Sequence, residues 1–319
     1  MTALLRLLVL ALAALPALAP AESFPARPLR IVVPFAPGGA VDTVARIVGA
    51  KLSEQVGQPV VVEDKPGGQA NIGAEMVARA APDGYTMLLG ANGLATNPTL
   101  MKMSFDPLEA FAPVARVGYA PLVLVVPSAS PVKSVAELVA YAKAHPGETN
   151  YGSSAVGGSG HLASELFKME TGTDSQHIPY KGGAPALTDL IGNRLTYMLI
   201  NPLEAAPHVK AGRLRALAVS SPKRIAALPD VPTFDEAGVK GFEATVWWGF
   251  VVPAATPKDV VARLSAETLK ALADPGVRGK LVDLGAVVDP QGPREFGNFL
   301  RNETRKWAAV IRKGGIKAE

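Results

Sequence analysis

Short apolar runs, many of them β-branched, alternate along this chain with longer stretches in which apolar residues recur at helical spacing. The short runs predict strands at residues 31–33, 60–63, 85–89, 122–126, 149–152, 176–179, 195–200, 214–219 and 246–252. The longer stretches predict helices at residues 40–56, 72–80, 135–144, 160–171, 184–193, 258–273, 277–284 and 294–312. Such alternation is typical of parallel sheets with helices on both faces, so we predict an α/β fold.

The first predicted strand ends in a glycine-rich loop that leads directly into a helix. Residues 34–39 read PFAPGG, and the helical pattern begins at Ala40. Glycine has no Cβ, so a ligand can approach the backbone N–H groups, and the N-terminus of a helix favours negative charge. The pattern therefore predicts an anion-binding loop. Asp42 falls in the first helical turn, where we expect its carboxylate to cap the helix.

Two more predicted strands end in similar loops. Residues 150–161 read NYGSSAVGGSGH and open the helix predicted at 160–171, and residues 178–184 read IPYKGGA. Each loop could be only a tight turn between a strand and a helix. Three such loops in two separated parts of the chain favour two lobes that face one cleft, because ligands of open α/β sheets bind beyond the carboxyl ends of strands.

The N-terminus has the pattern of an export signal. Arg6 precedes an apolar run at residues 7–18, and residues 19–21 form an A-x-A cleavage pattern. The run is shorter than the roughly 20 residues that span a bilayer. We therefore predict a signal peptide at residues 1–21. Because the chain has no cysteine, an exported product suits the bacterial periplasm better than an extracellular space rich in disulfides.

The charge distribution narrows the classes of partner. The chain carries 32 Lys+Arg and 28 Asp+Glu, a formal net charge of +4, and its basic residues are dispersed. A nucleic-acid surface would concentrate them on one stripe. We therefore expect no nucleic-acid partner.

Several long segments occur together in one order along the chain. They are PFAPGGAVDTVAR, EDKPGGQANIGAEMVARAAPDGYTMLLG, HIPYKGGAPALTDLIG, PHVKAGRLRALAVSSPKR, LPDVPTFDEAG, WWGFVVPAATP and WAAVIRKGGI. In these segments the chain resembles the Bug family, the TctC-type extracytoplasmic receptors associated with tripartite tricarboxylate transporters. The resemblance implies a two-lobed periplasmic binding protein fold of the type II kind, with parallel-rich sheets flanked by helices. It also implies one domain at 22–125 plus 225–319, a second at 126–224, and crossing hinge strands at 122–126 and 214–219.

The resemblance further implies what the protein does and which residues do it. A small carboxylate, either a di- or tricarboxylate or an aromatic acid, would be held between the lobes by backbone amides and waters and passed to membrane transporter subunits. No cofactor or metal is implied, and we expect a monomer. The matching positions are Phe35, Ala36, Pro37, Gly38, Gly39, Ser153, Ser154, Gly158 and Ser159, to which we add Asn92, Tyr180, Lys181, Asn201 and Trp248.

Two of these positions have alternative roles, and a third bears on the chemistry of the ligand. Lys181 could meet a second carboxylate or could be an ordinary solvated lysine. Trp248 could stack on a ligand or pack in the core. Many relatives carry an aspartate near Asn201, so its absence here favours a ligand without an amine, because a buried ammonium group needs a counter-charge.

The rival class is a periplasmic enzyme acting on a small carboxylate. Residues 158–163 fit a G-x-G-x-x-A dinucleotide pattern, but the acidic residue expected about 20 positions later is missing. Ser153, Ser154 and His161 suggest hydrolysis, yet the chain contains no G-x-S-x-G elbow. The four histidines are scattered, and for His177 we expect a structural role. A structural or adaptor protein has no positive feature in its favour, so we predict a binding protein and not an enzyme.

Overall fold

The computed structural model describes residues 24–35, 37–154, 156–180, 183–283 and 285–317. Its strands are β1 (Leu29–Val33), β2 (Val60–Asp64), β3 (Thr86–Gly90), β4 (Phe111–Pro121), β5 (Val123–Pro127), β6 (Asn150–Ser153), β7 (Gln176–Pro179), β8 (Tyr197–Ile200), β9 (Leu214–Val219), β10 (Thr245–Pro253) and β11 (Val287–Gln291). The predicted signal peptide at residues 1–21 lies outside the described residues.

The helices lie between these strands in the expected alternation. They are α1 (Ala40–Val56), α2 (Asn71–Ala78), α3 (Gly93–Leu100), α4 (Pro107–Ala110), α5 (Val135–Ala144), α6 (Ser159–Thr171), α7 (Gly183–Ile191), α8 (Pro202–Lys210), α9 (Lys258–Ala273), α10 (Pro275–Asp283) and α11 (Pro293–Lys313). No helix in the described ranges combines the length and the apolar character needed to cross a bilayer.

The strands form two separate sheets, which confirms the predicted α/β architecture with two lobes. The first sheet has the order β11-β4-β10-β3-β1-β2, and the second has the order β7-β6-β8-β5-β9. The pairs β1–β2, β1–β3, β6–β7 and β6–β8 are parallel, as expected for strands joined by helical crossovers. Strands β4, β5 and β10 add antiparallel pairs, so both sheets are mixed.

The sequence pattern missed five elements of the described chain, β4, β11, α3, α4 and α8, and for two of them the reason is identifiable. Strand β4 contains Pro113, Gly118 and Pro121, which usually interrupt strands, yet it pairs with β10 over most of its length. Helix α3 reads GLATNPTL and lacks an amphipathic pattern. It buries the polar residues Thr96 and Asn97 together with apolar neighbours, so no apolar stripe marks it.

The two sheets are connected by two crossing segments rather than by the strands expected at 122–126 and 214–219. Those residues fall in β5 and β9, which pair side by side within the second sheet. The chain crosses between sheets at Pro121–Leu122 and again between Ser220 and Ala244. The buried Ser220 joins both crossings. Its N–H donates to Leu122 O and its Oγ accepts from Leu122 N–H, each at 2.8 Å, while the hydroxyl donates to Ala244 O at 2.5 Å.

One hydrophobic core cluster extends across both sheets. Val32 and Leu88 of the first sheet belong to the same cluster as Tyr151 and Tyr197 of the second. Neighbouring residues of a strand point to opposite faces, so Ile31 and Val33 belong to a different cluster under α1. The lobes are therefore packed against each other through apolar side chains as well as through the crossing segments.

Candidate ligand-binding site

The first glycine loop follows β1 and ends at the N-terminus of α1. Gly38 has φ +80°, a left-handed conformation that glycine adopts without strain. Gly39 is the N-cap of α1 with φ −77° and ψ 172°, and no side chain accepts a hydrogen bond at this cap. The first N–H groups of a helix have no intrahelical acceptor. Helix α1 therefore begins, without a side-chain cap, directly after the loop that follows β1.

Asp42 orders this loop from within the helix. Its Oδ2 accepts the Gly38 N–H at 2.7 Å, and its Oδ1 lies 2.7 Å from Arg46 Nε. Burial alone would raise the pKa of Asp42, but the Gly38 hydrogen bond and the Arg46 guanidinium hold it below its usual value. Arg46 also pairs with Asp64 at 3.0 Å. The Gly38 N–H is thus already satisfied inside the protein, which leaves the later amides for a ligand.

Replacing Asp42 by alanine should lower the free energy of unfolding by about 1.5–3 kcal/mol, the usual range for a hydrogen bond to a charged group. Chemical denaturation of Asp42→Ala and Asp42→Asn measures this. The asparagine keeps an acceptor for the Gly38 N–H and should lose less stability than the alanine. Ligand affinity should change less than stability. A loss of affinity at full stability would instead assign Asp42 to the binding surface.

A small cavity lies beside the first loop. It has a volume of about 10 Å³, enough for one water molecule, and is lined by Phe35, by Ala70 and Asn71, and by residues of α3. The buried Asn97 of α3 donates to Gln69 O at 2.8 Å and to Asn71 Oδ1 at 2.9 Å. Gln69 and Ala70 both have positive φ, 52° and 77°, which is costly for residues other than glycine. Asn97 therefore holds a strained turn in place against the cavity, a role that sequence analysis missed.

Asn92, predicted at the mouth of the cleft, has both ends of its side-chain amide engaged. Its Nδ2 donates to Thr245 O at 2.8 Å, and its Oδ1 accepts from Trp247 N–H at 3.0 Å. Asn92 follows β3 by two residues, and β3 pairs with β10. The side chain thus extends this pairing and fixes the start of α3 beside β10.

The second glycine loop follows β6 and repeats the geometry of the first. Gly158 is the N-cap of α6 with φ −67° and ψ 163°, again without a side-chain hydrogen bond at the cap. Ser154 is exposed, and Ser159, the first residue of α6, is half-buried. Ser153 is 1% exposed, and its Oγ lies 2.7 Å from His177 Nε2.

Helix α3 lies between the two loops and relates them in space. Leu94 and Asn97 line the cavity beside Phe35. At the other end of α3, a Cβ on Gly157 would come within 2.7 Å of Leu100. A helix of this length spans about 12 Å. One end of α3 therefore lies beside the first glycine loop and the other end beside the second.

The remaining predicted residues are placed as follows. Tyr180 is half-buried, its hydroxyl donates to Asp189 Oδ2 at 2.7 Å, and burial with this hydrogen bond raises its pKa to about 12. Asn201 directly follows β8, and its carbonyl accepts from Glu204 and Ala205 N–H groups at 3.1 Å. Pro37 is exposed. Ala36 and Lys181 lie outside the described residues.

Trp248 is 2% exposed and packs in the core under α1, on the face of β10 opposite to Trp247. Its indole Nε1 is buried without a hydrogen-bond partner in the described part of the chain. This placement favours the packing role, and stacking on a ligand stays a prediction. No cluster of three or more His, Cys, Asp or Glu side chains that could hold a metal occurs among the described residues.

Two lobes, each presenting an uncapped helix N-terminus at a strand end, define a binding protein of the periplasmic two-lobed class. The chain matches the family described as the tripartite tricarboxylate transporter family receptor, TctC, over residues 44–316. It therefore belongs to this family, and the resemblance found in the sequence is confirmed.

Relatives match the chain over nearly its whole length. Protein BugT of Bordetella pertussis is 37% identical over 300 residues, which cover 93% of this chain and 92% of BugT. The structure of Rpa4515 from R. palustris with adipate has a TM-score of 0.80 at 38% identity and covers 92% of this chain and 99% of its own. MatC from Rhodopseudomonas palustris with bound malate has a TM-score of 0.76 at 33% identity, covering 90% and 100%.

Proposed function

We propose that this protein is a periplasmic receptor that captures a small aliphatic dicarboxylate between its lobes. The observation that carries the proposal is the pair of uncapped glycine N-caps, Gly39 and Gly158, each at the end of a strand in a different lobe. Each helix N-terminus suits one carboxylate, because its backbone N–H groups and dipole both favour negative charge. A molecule with a carboxylate at each end satisfies both lobes at once.

The proposed site comprises the two glycine loops with the polar groups around them. Phe35, Ala36, Pro37, Gly38 and Gly39 would form one side, and Ser154, Gly158 and Ser159 would form the other, with the buried Ser153 holding the start of the second loop. Tyr180, Lys181 and Asn201 would border the second carboxylate, and Asn92 supports α3 between the loops.

Three observations narrow the ligand class. The structurally similar Rpa4515 and MatC were solved with adipate and malate, both aliphatic dicarboxylates without an amine. The family resemblance implies an aspartate near this position in many relatives, and this chain has Asn201 instead, which would leave a ligand's ammonium group without a counter-charge. The burial of Trp248 leaves an aromatic acid without an exposed indole to stack on.

Capture would occur by closure of the lobes about the crossing segments. Ligand favours the closed form because only there do both loops contact it. The moving bodies would correspond to the predicted domains at 22–125 plus 225–319 and at 126–224, with the first boundary moved to the crossing at Pro121–Leu122, because β5 belongs to the second sheet. Residues 1–21 would direct export, and the monomeric complex would be presented to membrane transporter subunits.

The enzyme alternative has one favourable observation, the 2.7 Å contact between Ser153 Oγ and His177 Nε2. A serine beside a histidine is the start of a nucleophile and base pair. Ser153 is 1% exposed, however, so its hydroxyl is out of reach of a substrate carbonyl. We therefore assign the pair to the structure of the loop rather than to catalysis.

A thermal-shift series on residues 22–319 tests the proposal. Succinate, malate and adipate should raise the unfolding temperature, because a ligand at 100 times its Kd adds about 2.7 kcal/mol to the folded state. Citrate, benzoate, glutamate and NAD serve as comparisons for tricarboxylate, aromatic, amino-acid and enzyme-cofactor classes. A shift with NAD alone, or ester hydrolysis abolished by Ser153→Ala, would favour the enzyme. A shift with glutamate alone would contradict the inference from Asn201.

A further inference from the structure

Two stacked histidines contact both ends of the second glycine loop. At its start, Ser153 Oγ lies 2.7 Å from His177 Nε2. At its end, the Gly157 N–H donates to His161 Nδ1 at 2.9 Å. The two imidazole rings lie face to face, with centroids 3.7 Å apart and an interplanar angle of 14°. The loop is therefore tied at two points to one rigid pair of rings.

We propose that His161, supported by His177, is a positioning residue that holds the second glycine loop ready for its ligand. The inference deepens the proposed function, since it assigns how one of the two anion-binding loops keeps its shape. Neither histidine needs to contact the ligand. Gly157 has φ +72° and lies against Leu100 of α3, so the direction of the Gly157 N–H fixes the turn that leads to Gly158.

The hydrogen bond defines the chemical state of the His161 ring. A donor at Gly157 N–H requires a lone pair on Nδ1, so the ring is neutral and carries its proton on Nε2. Proton uptake at Nδ1 would remove the acceptor and would place an imidazolium against His177. The hydrogen bond from Gly157 N–H to His161 therefore forms only while His161 is neutral.

The surroundings keep this ring neutral over a wide pH range. Burial first, and then His177 and Lys168, lower the pKa of His161 to about 3. Burial also lowers the pKa of His177, and Glu165 opposes that effect in part. Glu165 itself accepts from Tyr151 Oη at 2.6 Å and pairs with Lys168 at 2.9 Å. Asp174 and Lys317 line the same open surface pocket as the two histidines, Glu165 and Lys168.

Because His161 takes up its proton at different pH values in the folded and unfolded states, the stability of the protein should depend on pH in a defined range. An unfolded histidine takes up its proton near pH 6.5, whereas folded His161 does so only near pH 3. Between these values the unfolded state binds more protons, so stability falls as the pH is lowered through that window. A variant without an imidazole at position 161 should lose this part of the pH dependence.

Two variants of His161 test the role of its hydrogen-bond acceptor separately from the role of its aromatic ring. His161→Phe keeps a ring over His177 but has no acceptor, and His161→Asn restores an acceptor near the position of Nδ1 without a ring. His145→Phe is the matched control, because His145 is a half-buried histidine at the C-cap of α5 that stacks on Tyr141 of that helix. In the ligand-free proteins, hydrogen exchange of the peptide covering residues 154–160 should be faster in His161→Phe and near wild type in His161→Asn and His145→Phe.

Affinity provides the second measurement. Adipate should bind His161→Phe about tenfold more weakly, because ligand must then order the loop, and His161→Asn should recover most of that loss. Unchanged exchange in His161→Phe, or no recovery in His161→Asn, would overturn the positioning role. If no dicarboxylate binds the wild-type protein, the proposed function fails, while the exchange experiment still tests whether His161 positions the second glycine loop.

Discussion

Replacing Gly39 or Gly158 by valine should weaken dicarboxylate binding at least about 100-fold while the protein remains folded. Both residues have ordinary extended conformations, so valine causes no backbone strain at either position. Its methyl groups would occupy the space in front of the helix N–H groups. Losing hydrogen bonds to a carboxylate, worth about 1.5–3 kcal/mol each, corresponds to roughly ten- to a hundredfold per bond. Isothermal titration with adipate or malate measures the effect.

Gly292 provides a matched control for these two variants. It is the N-cap of α11, with φ −73° and ψ −179° and no side-chain hydrogen bond at the cap. A Cβ there has only Glu295 Oε2 in contact range, at 3.5 Å. Valine is a poorer N-cap than glycine, so all three variants should lose a similar stability of about 1 kcal/mol. Gly292→Val should bind ligand normally. Equal affinity in all three variants would remove the glycine turns from the site.

Gly160→Ala should destabilise the protein by about 1–3 kcal/mol, although alanine is the better helix former. A Cβ at Gly160 would lie 2.5 Å from the carbonyl oxygen of Leu199. That oxygen belongs to β8, which is paired with both β5 and β6 and cannot move alone. Helix α6 must therefore shift away from β8, which also displaces the second glycine loop from Asn201.

Gly279→Ala is the control with the opposite expected sign. Gly279 is an exposed residue of α10, and a Cβ added there would meet no atom within 4 Å, so alanine should stabilise by about 0.5–1 kcal/mol. Urea denaturation of both variants compares them directly. A neutral or stabilising effect of Gly160→Ala would mean that α6 is not packed closely on β8.

Much of the fold could be predicted because strand and helix patterns here are separated by glycine and proline. Strands β7 and β9 have the predicted limits, and α1 begins at the predicted Ala40. The elements that could not be predicted include those whose formation depends on partners distant in the sequence. Strand β4 forms because β10 and β11 pair with it on either side, despite its internal prolines. Nothing in the local pattern of residues 111–121 records those partners.

The candidate site shows the same division. The two glycine loops could be located from sequence because their glycines precede a helix. The side-chain partners could not, since they depend on tertiary contacts. The sequence predicts Asn92 at the mouth of the cleft, yet its side chain is engaged by β10, and of the two roles left open for Trp248 the structure favours packing in the core. The single signal for His161 was its position just inside the helix after the loop, which does not reveal that it accepts the Gly157 N–H.

The hydrogen bonds of Ser220 have a consequence for how the lobes can move. They tie Leu122 on one crossing segment to Ala244 on the other, so neither segment can twist without the other. Two independent connections would allow the lobes to hinge, twist and slide in combination. Because Ser220 joins the two connections, the lobes should move relative to each other mainly by one rotation, about an axis that passes through this serine. Opening and closing should therefore follow a single path, and every open form of the receptor should differ from the closed one by rotation about the same line.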